Sequence, residues 1–136
     1  VSYLLDTCTV SEGARPDMNA GVRQWLVMTP IELQCVSVLS FAEIEFGILK
    51  LSPGRRRSNL ESWVEGTVKP FFGSRVLAFD EAAAHAWAKL RIRDINAPIV
   101  DGQIAATAIA GNLTLVTRNV RDFRFEGLRV LNPWTE

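Results

Sequence analysis

Short apolar runs alternate along this chain with stretches in which apolar residues recur every three or four positions, a pattern that predicts strands separated by helices. Val1 to Leu5 and Leu33 to Val38 are β-prone runs, the second following the turn signal Thr29-Pro30. Between them Met18, Val22, Trp25 and Leu26 keep helical spacing behind Asp17, the expected N-cap. Ser40-Phe41-Ala42-Glu43 matches a capping box and opens a helix toward Leu51, stopped by Ser52-Pro53-Gly54. The next helix starts at Arg55 to Arg57, passes through Leu60, Trp63 and Val64, and ends near Pro70. Arg75 to Phe79 reads as a third strand, and Asp80-Glu81 begin an Ala-rich helix ending near Asn96-Ala97-Pro98. A last helix spans Asp101 to Ala110 with Gly111 as its C-cap, and Leu113 to Thr117 and Leu128 to Leu131 are the fourth and fifth strands. Strands alternating with helices mean an α/β domain with a mainly parallel sheet. No repeat, low-complexity tract or linker interrupts residues 1–136, so a single domain is expected.

Composition narrows the function classes. The formal net charge is zero, whereas domains that hold nucleic acid by bulk electrostatics carry a basic excess, so any such contact must be local. Cys8 and Cys35 lack both C-x-x-C spacing and a secretory-type leader, which argues against a disulfide framework or a thiolate zinc site and makes a reducing cytoplasm the default expectation. Apolar stretches are broken by charges such as Glu43, Glu45 and Lys50, so no membrane span is expected.

The candidate chemistry lies in acids at strand ends and helix starts: Asp6, Glu43, Asp101 and the pair Asn119 and Asp122. In a parallel sheet these positions fall on one rim. Each has an ordinary alternative. Asp6 could end a strand in a turn, Asp101 could complement a helix dipole, Asp122 could be a solvated turn acid, and for Glu43 the cap and the ligand stand about even. As a set, carboxylates crowded together repel, and a hard divalent cation, magnesium or manganese, relieves that repulsion with oxygen ligands. Bound water then serves as the nucleophile for phosphodiester hydrolysis. Thr117 and Asn119, and Thr7 beside Asp6, are placed to bind ligand waters or phosphate. Other chemistries lack their residues. His85 is the one histidine and sits in an ordinary Ala-rich helix, Cys8 has an acidic neighbour that disfavours a thiolate, and neither phosphate-binding glycine motif occurs. Arg55, Arg56 and Arg57, with Arg91 and Arg93, are candidate RNA-phosphate contacts, though solvated helix faces are the usual identity of such residues.

Leu4-Leu5-Asp6-Thr7, Ser40 through Gly47, Asp101 through Ala108, and Leu115 through Asn119 together resemble a PIN-domain ribonuclease of the VapC toxin family. Ser11-Glu12 and Leu131-Asn132-Pro133-Trp134 resemble its FitB-like branch. The resemblance implies a three-layer α/β/α sandwich with a five-stranded sheet, and a magnesium- or manganese-dependent endoribonuclease acting as the toxin of a toxin–antitoxin pair. It further implies a homodimer and a cognate, VapB-like, DNA-binding antitoxin. The family acids map onto Asp6, Glu43 and Asp101 as metal ligands. Many relatives carry asparagine at the position of Cys8, and aspartate at that of Asn119, where the nearest acid here is Asp122. One tightly held ion is therefore expected. An amphipathic antitoxin helix could dock on apolar helices around Trp25, Phe46 and Trp63, though ordinary core packing is the more usual role of each aromatic taken alone. The alternatives are a non-catalytic PIN-like binding module and a DNA nuclease of the same chemistry.

Overall fold

In the computed structural model, which describes residues 2–136, five short strands form one all-parallel sheet in the order β3-β2-β1-β4-β5. β1 (Tyr3–Leu5) lies at the centre, with Leu5 opposite Val36 of β2 (Gln34–Ser37) on one side and Val116 of β4 (Thr114–Val116) on the other. β3 (Val76–Leu77) and β5 (Arg129–Leu131) form the edges. The expected five strands are all present but shorter than their apolar runs, and Val1 lies outside the described residues.

Strand residues alternate between two cores, as the pleat requires. Leu4 and Leu115 face a cluster built on α6 (Glu81–Arg93) and α7 (Ile99–Ala110), with Leu90, Ile104 and Ala108 buried against them. Leu5, Val36 and Val116 face the opposite way, toward α1 (Thr7–Glu12), α3 (Val38–Leu49) and the helix beginning at α4 (Arg55–Trp63). Helices cover both faces, which makes the fold a three-layer sandwich and buries even the polar Gln34 and Ser37 of β2.

Several local expectations are corrected. The connection between β1 and β2 holds two helices, because α1 precedes α2 (Ala20–Met28). The cap of α2 is Asn19, whose Oδ1 accepts from the amides of Gly21 (2.9 Å) and Val22 (3.2 Å). Asp17 instead stays exposed and reaches Arg15 at 3.4 Å, leaving Met18 outside the helix. The helix expected to end near Pro70 runs on through a π-helical stretch, Val64–Val68, into α5 (Lys69–Phe72). Pro70 has no amide to donate and its ring crowds the preceding turn, and the wider π turn accommodates both. Gly111 does follow α7, but the left-handed turn is taken by Asn112, at φ 54°.

Candidate active site

β1 delivers Asp6 to the C-terminal rim of the sheet, next to the strand-order reversal between β1 and β4. Asp6 is only 4% exposed. It is the N-cap of α1, and Oδ1 accepts from the Thr9 amide at 2.9 Å. The Thr9 hydroxyl is 2.8 Å from both that oxygen and the Val116 carbonyl, tying the carboxylate to the neighbouring strand. The spacing Asp6-Thr7-Cys8-Thr9 is a capping signal, but the six residues of α1 are too few to show helical periodicity.

Glu43 projects from α3 and accepts a hydrogen bond from the Thr7 hydroxyl. The capping-box alternative for Glu43 is excluded. α3 begins earlier than expected and is capped by Ser37, whose Oγ accepts from the Leu39 amide at 3.0 Å. Ser40 is thus inside the helix, its buried hydroxyl without a hydrogen-bond partner among the described residues.

Asp101, in the first turn of α7, completes a cleft of about 390 Å³ lined by Asp6, Thr7, Cys8, Glu43, Asp101 and Asn119 among others. Burial raises the Asp101 carboxyl above its ordinary value, and the charges of Glu43, Asp122 and Asp6 raise it further. Glu43, Asp122 and Asp6, from three separated parts of the chain, therefore all act on Asp101. The fourth corner divides between its two candidates. Asn119 lines the cleft, while exposed Asp122, on a 3₁₀ turn at Val120–Phe123, acts on Asp101 through its charge.

Thr7 lines the cleft, but Thr117 does not reach it. Thr117 is fully buried, and its hydroxyl accepts from the Asn119 amide at 3.0 Å, so it shapes the loop instead of meeting substrate. Cys8 takes a larger part than its sequence position suggested. Its sulfur lies 3.0 and 3.2 Å from the two Asp6 oxygens, and burial, then the Asp6 charge, push the thiol up to about 11. It is a protonated donor to Asp6 at neutral pH. His85 is exposed on α6 and lines a separate cavity with Lys89, Asp94 and Arg124.

The donors that face the cleft suit a hard divalent ion. Asp6, Glu43 and Asp101 offer carboxylate oxygens, Asn119 can add a neutral one, the Cys8 thiol stays protonated, and no lysine or arginine lines the cleft to neutralise the acids. Each of Asp6 and Glu43 has its own hydrogen-bond donors, however, and among the described residues no three such groups already enclose one point. The acids surround a shared cleft rather than a closed cage.

Of the five candidate arginines, none lines this cleft. Arg57 donates to the Leu51 carbonyl and pairs with Glu61, Arg91 lies over the Trp87 ring, and Arg93 pairs with Glu126. The aromatic residues expected to form one docking face also separate. Trp25 packs edge-on against Tyr3, Phe46 is exposed beneath Lys50, and Trp63 lines an apolar groove of about 380 Å³ with Val10, Leu26, Val27, Ile31 and Phe71.

A PIN domain model matches residues 3–127. The chain is 36% identical over 137 residues to toxin FitB of Neisseria gonorrhoeae, covering 96% of this chain and 97% of that protein. It is 34% identical over 135 residues to the VapC ribonuclease Y4jK of Sinorhizobium fredii, covering 96% of each. The crystal structure of FitAcB from Neisseria gonorrhoeae matches with a TM-score of 0.90 at 34% identity, over 98% of this chain and 99% of that one.

Proposed function

The chain belongs to the PIN-domain family, and from that membership and the acidic cleft we propose that it is the endoribonuclease toxin of a toxin–antitoxin pair. The observation that carries the chemistry is the single cleft that Asp6, Glu43 and Asp101 line together with Asn119. Asp6, Glu43 and Asp101 would hold magnesium or manganese, with Asn119 beside them. When bound, such an ion supplies Lewis acidity at a phosphoryl oxygen and lowers the pKa of coordinated water.

The chain's own residues do the rest. Thr9 and Cys8 donate to Asp6 and hold its carboxylate at the edge of the cleft. Thr7 fixes Glu43 in the same way. Asp101, in the first turn of α7, faces the same cleft and would share the ion with Asp6 and Glu43. Hydrolysis in this arrangement needs no covalent protein intermediate, in keeping with the protonated Cys8 and the distant His85.

The apolar groove around Trp63 is the docking face for an amphipathic segment of a DNA-binding antitoxin. Ile92, Ile95, Ile99 and Val100, exposed where α6 hands over to α7, form the apolar face for a second copy in a homodimer. No helix among the described residues is long and apolar enough to cross a membrane. We assign the protein to the cytoplasm, where its RNA substrate is.

The test is cleavage of single-stranded RNA by the purified chain with magnesium or manganese, beside Asp6→Asn and Asp101→Asn. Loss of cleavage in both variants with unchanged circular dichroism is expected, and unchanged cleavage in both would sink the proposal. An all-deoxy oligonucleotide of the same sequence separates a DNA nuclease. Calorimetric titration with manganese separates a non-catalytic module, for which no binding is expected.

A further inference from the structure

The cleft has a basic extension. Arg55 and Arg56, in the first turn of α4, face Arg15 and Pro16 across an open groove of about 790 Å³ that also contains Asn59 and Ser11. Among the described residues no carboxylate lines it. Ser11 lines both this groove and the acid cleft, so the two depressions meet at α1.

The five arginines singled out from the sequence divide by their partners. Arg57, Arg91 and Arg93 are committed to protein groups, as described above. Arg55 and Arg56 are exposed and form no ion pair among the described residues. Arg15 shares its charge with Glu12 (3.9 Å) and Asp17 (3.4 Å), so it contributes less. A chain of zero net charge gains no bulk attraction for a polyanion, and the carboxylates around the reactive cleft disfavour the phosphates next to the scissile one. Cations beside the cleft, at the phosphates next to the scissile one, offset that repulsion without neutralising the ligands. Phosphate contacts of this kind position a strand and carry no sequence information.

We propose that the groove between α1 and the start of α4 carries the RNA strand on one side of the scissile bond, with Arg55 and Arg56 binding its flanking phosphates. The proposal rests on the ribonuclease reading and adds the path of the strand.

The experiment compares the wild-type chain with Arg55→Ala/Arg56→Ala on a single-stranded RNA of mixed sequence and on the same RNA shortened stepwise from each end. On the full oligonucleotide the double variant should raise KM about tenfold and leave kcat within about twofold, and the log–log salt dependence of kcat/KM should become shallower by about 1.4. Shortening from one end alone should reproduce that loss in the wild type, and on the shortened RNA the two proteins should coincide. Arg55→Lys/Arg56→Lys should restore most of the KM.

A double variant with unchanged KM and salt slope overturns the groove assignment while leaving the ribonuclease reading in place. So does an equal loss on full and shortened RNA, which would mark a structural effect. Unchanged RNA kinetics with weakened antitoxin binding would assign the groove to an acidic peptide instead. A folded wild-type chain that cleaves no RNA brings down both readings, and that outcome is visible before any variant is made.

Discussion

Gly102, next to Asp101, is where the fold holds the site most tightly against its own packing. A Cβ built on Gly102 falls 2.3 Å from one atom of the Trp87 ring and 2.9 and 3.2 Å from two more. α7 therefore lies on α6 with no room for a methyl group, and a rigid ring, unlike a flexible side-chain end, cannot yield by a simple rotation. Gly102→Ala sets two effects against each other. Alanine is favoured over glycine inside a helix by about 1 kcal/mol. Overpacking a filled contact costs about 1–3 kcal/mol, and a contact well inside van der Waals distance belongs at the upper end. Packing wins, leaving a net destabilisation of about 1–2 kcal/mol. For a domain of 136 residues each kcal/mol lowers Tm by about 3–4 °C, so a fall of about 3–8 °C is expected in thermal unfolding followed by circular dichroism. Trp87→Phe supplies the control. If the ring is the obstacle, the double variant should be more stable than the sum of the single effects predicts, by about 1 kcal/mol or more. A Gly102→Ala protein that melts at or above the wild type would refute the reasoning, as would strict additivity in the cycle.

The other expectations concern the acids and the thiol. Asp6→Asn keeps a side-chain oxygen for the Thr9 amide whereas Asp6→Ala removes it, so both should lose cleavage but only the alanine variant should lose the cap, about 1 kcal/mol, with Tm lower than that of Asp6→Asn. The Asp101 carboxyl, raised in the fold, holds its proton more tightly there than in the unfolded chain. Its contribution thus favours the fold below the ordinary aspartate range and is lost as pH rises through the raised folded value. Without added divalent ions, Asp101→Asn should therefore be the more stable protein at neutral pH, the gap closing as pH falls; a gap that is constant with pH contradicts this. Cys8, pushed up to about 11, should alkylate slowly with iodoacetamide at neutral pH, and Asp6→Asn should speed it by removing the charge that disfavours the thiolate.

The order of strands and helices was legible because both faces of the sheet are covered, which makes β1 and the centres of β2 and β4 apolar. What escaped was local. Asp17 and Asn19 are both good N-caps, and the choice was made by the chain's end, since Asn19 also donates to the Thr135 carbonyl at 2.8 Å and accepts from its amide at 3.1 Å. A contact across 116 positions leaves no trace in local spacing. Ser40 and Glu43 satisfy a capping-box pattern that Ser37 makes redundant by ending β2 one turn earlier. The acids at the rim were found by topology, but their hydrogen-bond partners were not, because Thr9 and Cys8 act through a six-residue helix too short to announce itself.

The fourth corner shows how a site can keep its field while changing its ligand. Asn119 stands in the wall of the cleft and is neutral, and Asp122 stands outside the wall and is charged, yet Asp101 still registers Asp122. A carboxylate at a distance contributes to attracting a cation, because Coulomb interaction falls off slowly in a partly buried setting. It contributes nothing to coordination, which requires an oxygen within about 2–2.6 Å of the ion. The two roles that one aspartate would combine are thus divided between two residues of a single turn. Attraction survives that division better than geometry does. A first ion, if held by Asp6, Glu43 and Asp101 as proposed, would be little affected, while a second would meet a neutral oxygen of Asn119 where an aspartate would offer a charged one.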